Sequence, residues 1–208
     1  MPTISTVLAF ASLTFGMALI PGPNMIYLIS RTVCQGKTAG FISLFGIAMG
    51  FVVYVLCSAL GITAAFFAVP YAYEVLRYLG ALYLLFLAWA ALRSKKTLSL
   101  TPHRVDVDCY QKLFIVGFLT NLLNPKVAML YLALLPQFID PAQGSVFVQS
   151  LTLGLVQILS AITVQSVVIV TAGSISFVVL RHTRWIKIQQ WVMGTIFAGL
   201  AFRVATQN

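Results

Sequence analysis

One lysine in this sequence lies far from every other charge, at a depth where it could act as a binding group. Lys126 is 14 positions from Lys112 and 14 from Asp140, inside an apolar stretch. On a helix it would be ~21 Å from either residue, farther than a lysine side chain can reach towards water. A cation so placed costs at least ~3 kcal/mol, so an anionic partner is expected. Two interpretations follow: the partner is a substrate carboxylate, or carbonyl groups freed by a helix break hold the ammonium in a structural role.

Two proline motifs predict breaks in apolar helices. Pro21-Gly22-Pro23-Asn24 removes two amide donors, so a regular helix cannot continue through it. Asn124-Pro125 is a typical helix start, with an N-cap oxygen followed by a proline in the first turn. Freed polar groups in hydrocarbon are costly unless they line a cavity or find partners. The sequence therefore predicts a polar site at mid-membrane, shared by the two breaks.

Glutamine and serine side chains mark a second polar feature, an arc of about 160° on one helix at 100° per residue. Hydrogen bonding between helices is the favoured interpretation, and lining of a cavity is the second. The arc consists of Gln149, Gln157, Ser160 and Gln165. With the two breaks, the candidate substrate-binding residues are Pro21, Gly22, Pro23, Asn24, Asn121, Asn124, Pro125, Lys126 and Gln157.

The composition places these residues in a membrane protein. Charged residues make up 8% of the 208 residues, hydrophobic residues make up 60%, and the mean hydropathy is +0.97; soluble domains carry roughly 25% charged residues. The net charge of +9 comes from short basic runs between apolar segments, which indicates topology rather than nucleic-acid binding. Three cysteines without a paired motif, two isolated histidines and no phosphate-binding loop give no reason to expect a catalytic site, a metal site or a cofactor.

The apolar segments predict an all-α protein with six transmembrane helices. They lie at about 5–30, 39–67, 71–92, 112–138, 145–172 and 185–204. The uncharged run at 141–180 leaves open the alternative of two spans there. Ten basic residues fall in the first, third and fifth connections, so these are expected in the cytoplasm and both termini outside.

The two halves of the chain show a weak similarity. An offset of 104 residues superposes Pro21 on Pro125, Tyr27 on Tyr131 and Gly50 on Gly154. Because each half has three helices, the halves would lie in opposite orientations, as in many secondary transporters. The prediction is one transmembrane domain over 1–208, with repeat one at about 1–92, a cytoplasmic loop at about 93–111 and repeat two at about 112–208. Gly46 and Gly50 are interpreted as a site of close helix packing.

These motifs together resemble the LysE/RhtB family of bacterial amino-acid exporters. The resemblance rests on the run from Phe118 to Phe138, on Pro21-Gly-Pro-Asn24 and on Gly46-x-x-x-Gly50, and it extends over essentially the whole chain. It implies a six-helix inner-membrane protein that exports amino acids such as lysine, threonine, homoserine or leucine. It also implies a proton or ion gradient as the driving force and, in many members, a homodimer.

The sequence thus predicts a secondary transporter that exports neutral or basic amino acids, with the amino acid and the lipid bilayer as its partners. The substrate carboxylate would bind Lys126, and its ammonium would bind carbonyls between Pro21 and Asn24. The alternative is an exporter of a metal cation or another small solute on a related fold. A non-transporting scaffold and a membrane enzyme are less favoured, because neither uses a buried lysine beside two breaks. Proton coupling would have to pass through Lys126 or Glu74.

Overall fold

The computed structural model describes residues 1–68 and 108–179, together with four single helical positions. Those positions are Leu82, Leu85, Trp89 and Thr195. Apart from them, the predicted third helix at 71–92, the sixth at 185–204 and the cytoplasmic loop up to 107 lie outside the described residues.

The described residues form six α-helices, and no strand occurs among them. The helices are α1 (Ile4–Leu19), α2 (Pro23–Gln35), α3 (Lys37–Ala68), α4 (Tyr110–Leu122), α5 (Pro125–Met129) and α6 (Val146–Val179). After α5 the chain continues through a π-helical turn at Leu130–Leu134 and 3-10 turns at Leu135–Phe138 and Pro141–Gln143. The prediction of an all-α protein is confirmed.

By length and composition, two helices and two bent helix pairs in this part of the chain could cross a membrane. Lys37–Gly61 in α3 and Val146–Ala172 in α6 are each long and apolar enough to cross a bilayer. The helices α1 and α2 meet at an angle of 52°, and α4 meets Pro125–Phe138 at 47°; each bent pair is apolar enough to form one broken span. These four spans correspond to predicted helices one, two, four and five. The described part of the uncharged run after Asp140 contains one long helix, α6, rather than two spans.

Both predicted breaks are present, but their correspondence differs from the sequence alignment. Gly22 is the N-cap of α2 and Pro23 its first residue, while Asn124 is the N-cap of α5 and Pro125 its first residue. Proline suits this position because its missing amide hydrogen would have no helical acceptor. At the breaks, Pro125 therefore corresponds to Pro23, two residues after the Pro21 that the sequence identities indicate.

The helices α3 and α4 pack closely, because glycines at their contact leave no side chains between the two backbones. A Cβ atom on Gly46 would lie 2.1 Å from the Phe114 carbonyl oxygen. A Cβ atom on Gly117 would lie 2.3 Å from the Ser43 carbonyl oxygen. The backbones touch here, so the packing interpretation of the Gly46 motif is confirmed.

Contacts at the helix ends give the relative direction of the spans. The amino terminus of Met1 donates to the Gln143 carbonyl at 2.9 Å, so the start of the span α1–α2 meets the segment that follows the span α4–α5. At the opposite end, Arg31 at the end of α2 forms an ion pair with Asp108, just before α4. The span α1–α2 and the span α4–α5, which are the first and fourth predicted spans, therefore run in opposite directions. An inverted repeat requires this of the first span in each half.

Candidate functional site

A small cavity lies between the two breaks and is lined by residues of α1, α2, α3, α5 and α6. Its volume is about 40 Å³, enough for a few water molecules but not for an amino acid. Its apolar wall includes Met17, Met25, Phe51 and Leu130. The polar side chains in the wall are Thr14, Asn24, Asn124, Lys126, Gln157 and Gln165. None of the described lining residues is acidic, so Lys126 gives the cavity a positive charge.

Lys126 reaches across the cavity from α5 to the first break. Its ammonium donates a hydrogen bond to the Ile20 carbonyl at 2.7 Å. The side chain crosses Gly22, where an added Cβ atom would lie 3.6 Å from Cδ and 3.8 Å from Nζ. Within the described residues the ammonium makes this one hydrogen bond, so two of its three N–H groups remain for another partner.

Two buried asparagines join the breaks to each other. The side-chain oxygen of Asn124 accepts from the backbone N–H of Lys126 at 3.0 Å, which caps α5. The side-chain nitrogen of Asn124 donates to the side-chain oxygen of Asn24 in the first turn of α2 at 2.9 Å. No side chain caps α2 at Gly22, and the N-terminal end of this 13-residue helix carries a partial positive charge. The junction therefore favours a negatively charged ligand.

A tyrosine pair supports the other side of the cavity. The Tyr131 hydroxyl donates to the side-chain oxygen of Gln157, and the Tyr131 ring stacks on Tyr54 with centroids 5.3 Å apart. The Tyr54 hydroxyl donates to the Leu122 carbonyl at 2.8 Å. In a continuous helix that carbonyl would accept from Lys126 four residues later, so Tyr54 satisfies an acceptor that the second break exposes.

Comparison with known proteins identifies the family. The sequence model of the LysE type translocators matches residues 15–208. This chain belongs to the LysE type translocator family. Members of this family are translocators, and the expected resemblance is confirmed.

Two groups of relatives cover nearly the whole translocator. An uncharacterized membrane protein of Pseudomonas aeruginosa is 28% identical over 195 residues, which is 90% of this chain and 89% of the relative. Leucine efflux proteins of Salmonella typhimurium and Salmonella typhi are 26% identical over 194 residues, covering 91% of this chain and 90% of theirs. No solved structure matches.

The translocator's cavity contains some of the predicted site residues and not others. Its wall includes Gly22, Asn24, Asn124, Lys126 and Gln157. The sequence analysis predicted that the residues of the two proline motifs would lie close together, while Gln157 came from the polar arc, where lining of a cavity was the second interpretation.

The four other candidate residues are absent from the described lining. Pro23 and Pro125 are exposed at the first positions of α2 and α5, and Pro21 lies in the break before Gly22. Asn121 is fully buried, and its side chain donates to the Ile47 carbonyl at 2.5 Å. The prolines therefore shape the breaks, and Asn121 holds α4 against α3.

Sequence reasoning missed three groups in the cavity wall: the hydroxyl of Thr14, the carbonyl of Ile20 and the side chain of Gln165. The only available signal concerned Gln165, which lies on the polar arc of α6. The arc divides in the structure, because Gln149 bonds to the carbonyls of Asp140 and Gly144 at 2.7 and 3.1 Å. Gln157 and Gln165 line the cavity instead.

A metal ion does not fit this lining. A metal-cation site needs several carboxylate, thiolate, imidazole or thioether ligands that converge. Within residues 1–68 and 108–179, no group of three or more histidine, cysteine, aspartate or glutamate side chains lies close enough to hold one. The described lining of the cavity offers four amide side chains, one hydroxyl, two methionine thioethers and one ammonium, and the ammonium suits an organic anion or zwitterion better than a cation.

Proposed function

We propose that this translocator exports amino acids with neutral side chains across the bacterial inner membrane, and that it binds them at the cavity between the breaks. The observation that carries the proposal is the ammonium of Lys126, which lies in a cavity whose described lining residues include no carboxylate. The leucine efflux proteins among the relatives support an amino-acid substrate.

The substrate carboxylate would bind the two remaining N–H groups of Lys126. Charge-assisted hydrogen bonds of this kind are about twice as strong as neutral ones. The N-terminal end of α2, which has no side-chain cap, adds a favourable field for the same negative charge. Lys126 would thus keep its bond to Ile20 as a support and use its free side for the substrate.

The substrate side chain would contact the apolar wall. Met17, Phe51 and Leu130 offer no charge or strong hydrogen-bonding group, so an aliphatic side chain gains from burial there. A lysine side chain would bring a second cation into a site where no described lining residue can neutralise it, at a high desolvation cost. Leucine-type substrates are therefore favoured over lysine.

Transport would require the two halves to move apart, because the cavity of about 40 Å³ does not admit an amino acid. Rocking of two inverted halves about a central site is the common mechanism of such transporters. A proton or ion gradient would drive the cycle through Lys126 or through Glu74, which lies outside the described residues. Both termini would face the periplasm, and association into a homodimer stays a prediction.

Efflux from cells fed with dipeptides tests the proposal. Cells that lack their own exporters would carry either the translocator or an empty vector, and would receive dipeptides of labelled leucine, threonine, homoserine or lysine. We expect faster appearance of free leucine outside the cells that carry the translocator, and lysine efflux at the vector level. If no amino acid leaves faster than from vector cells, amino-acid export is contradicted; if lysine leaves as fast as leucine, the neutral class is contradicted.

A further inference from the structure

We infer that Gln165 binds the ammonium group of the substrate, an inference that rests on the proposed function. Gln165 lies on α6 with 6% of its surface exposed, and its side chain is part of the cavity wall. Its side-chain oxygen is buried and has no hydrogen-bond partner among the described residues. A buried amide oxygen normally has a partner, so this one needs an explanation.

Three other oxygen acceptors near the cavity already have donors. The Ile20 carbonyl accepts from the Lys126 ammonium. The side-chain oxygen of Asn24 accepts from Asn124, and that of Gln157 accepts from Tyr131. Among the described residues that line the cavity, Gln165 is the one whose buried side-chain oxygen accepts no hydrogen bond.

Two neighbouring glutamines on the same helix show what a structural role looks like. The side-chain oxygen of Gln149 accepts from the backbone N–H of Asp140 at 3.1 Å, and its nitrogen donates to two carbonyls. The oxygen of Gln157 accepts from Tyr131. The side-chain oxygen of Asn121 is also buried without a partner, but Asn121 is absent from the described cavity wall. Gln165 is part of that wall, so its oxygen can meet a donor that enters the cavity.

The position of Gln165 suits an α-amino acid. Val164 and Val168 pack against Met25 and Ile29 of α2, so this part of α6 lies against the half-helix that begins at the first break. Gln165 and Lys126 line the same cavity of about 40 Å³. Because the carboxylate and the ammonium of an α-amino acid are attached to one carbon, a single substrate can contact both residues.

Binding of leucine and of its 2-hydroxy analogue to the purified translocator tests this inference. The analogue keeps the carboxylate and the side chain but carries a hydroxyl group in place of the ammonium. We would compare the parent with Gln165→Leu, which removes the amide, and with Gln165→Glu, which strengthens the acceptor. Thr163→Val, at an exposed position two residues earlier on α6, is the control for insertion and folding.

The expected result is a change in preference rather than a general loss. Gln165→Leu should weaken leucine binding about tenfold or more, because it removes a hydrogen bond to a charged group, and should weaken binding of the hydroxy acid clearly less, because a neutral hydroxyl donates a weaker hydrogen bond than an ammonium. Gln165→Glu should keep or increase the preference for leucine, and Thr163→Val should bind both ligands as the parent does.

Two results would overturn the inference while leaving the proposed function intact. One is a Gln165→Leu variant that binds leucine as tightly as the parent. The other is a variant that loses both ligands equally, since that pattern indicates a structural role. A parent that binds neither ligand would overturn the proposed function and this inference together.

Discussion

Lys126 is held by a carbonyl group that is available only because a helix is broken. In a continuous helix the Ile20 carbonyl would accept from the N–H of Asn24 four residues later, but Pro21, Gly22 and Pro23 interrupt that pattern. The carbonyl accepts from the Lys126 ammonium instead, at 2.7 Å. This is the structural interpretation that the sequence left open, and the ammonium's two other N–H groups leave room for the substrate interpretation as well.

Local sequence was enough to predict some site residues. The depth of Lys126 follows from its distance to the nearest charges, and the cap by Asn124 follows from the residue types at a helix start. The bond between Asn124 and Asn24, and the choice of Ile20 as an acceptor, depend on how two spans meet. The residue types along one span do not show which residues of another span it contacts.

A second charged contact, at Asp108, joins α2 to the start of α4. It predicts how the stability of the protein depends on pH. Asp108 pairs with Lys112 at 2.5 Å and with Arg31 at 2.6 Å. The hydrogen bond from Lys112, followed by the charge of Arg31, holds the pKa of Asp108 below its usual range. Its contribution to stability is therefore present above the unfolded pKa of about 4 and is lost as the pH falls through the lower folded pKa.

We expect Asp108→Asn to lower the stability of the detergent-solubilised protein by the same amount between about pH 5 and about pH 8. The difference from the parent should shrink below about pH 4, because Asp108 of the unfolded parent then binds a proton, and should vanish below the lower pKa of the folded parent. Thermal unfolding of both proteins across this pH range measures the difference. A gap between parent and variant that widens towards acid pH would rule out the ion pair as the cause.

The segment after α5 departs from a regular α-helix, and the sequence supplies a physical reason. The sequence predicted a span that breaks at Asn124 and then continues as helix to residue 138. The structure instead has π-helical and 3-10 turns over Leu130–Phe138. Pro136 lacks the N–H that would bond the carbonyl of Leu132, so a regular α-helix cannot be kept there. The break at Asn124 was predictable from its proline motif, whereas the type of turn that replaces the helix was not predicted.

The close packing of α3 on α4 predicts a strong effect of one methyl group. In Gly46→Ala the new Cβ atom would lie 2.1 Å from the Phe114 carbonyl oxygen, so the two helices must separate. We expect a loss of about 1–3 kcal/mol in the free energy of unfolding. Denaturant titration of the purified protein gives this value.

Gly16→Ala is the matched control, because a Cβ atom on Gly16 in α1 would meet nothing within 4 Å. This variant should be neutral or up to about 1 kcal/mol more stable, since alanine is the better helix former. Equal stability changes in the two variants would show that contact between α3 and α4 does not depend on Gly46.

At the scale of the whole molecule, the span α1–α2 runs opposite to the span α4–α5, and the basic residues are predicted to mark one side of the membrane. The amino terminus lies against Gln143, and the opposite end has the ion pair between Arg31 and Asp108. Charge counting predicted which connections share a side, because that signal is a property of the sequence itself. The identity of the substrate was not predictable in this way, since the cavity wall combines residues from five helices and from the first break.

Labelling with a membrane-impermeant maleimide tests the orientation. Cysteines placed at Thr3 and Ala142 should react in intact cells, because both positions lie at the end predicted to be outside. The exposed native residues Cys34 and Cys109 should react only after lysis. Reaction of Thr3→Cys without Ala142→Cys would contradict the structure, and the reverse pattern for all four positions would contradict the predicted orientation.

The central claim is that Lys126 binds the carboxylate of an exported amino acid, and exchange of labelled leucine across proteoliposomes tests it most directly. The parent should exchange leucine and should not exchange 3-methylbutylamine, the amine that lacks the carboxylate. Lys126→Gln should insert normally and lose most leucine exchange, while Lys126→Arg keeps the charge and should retain part of it. Leucine exchange at the parent rate by Lys126→Gln, or equal exchange of leucine and the amine by the parent, would contradict the claim.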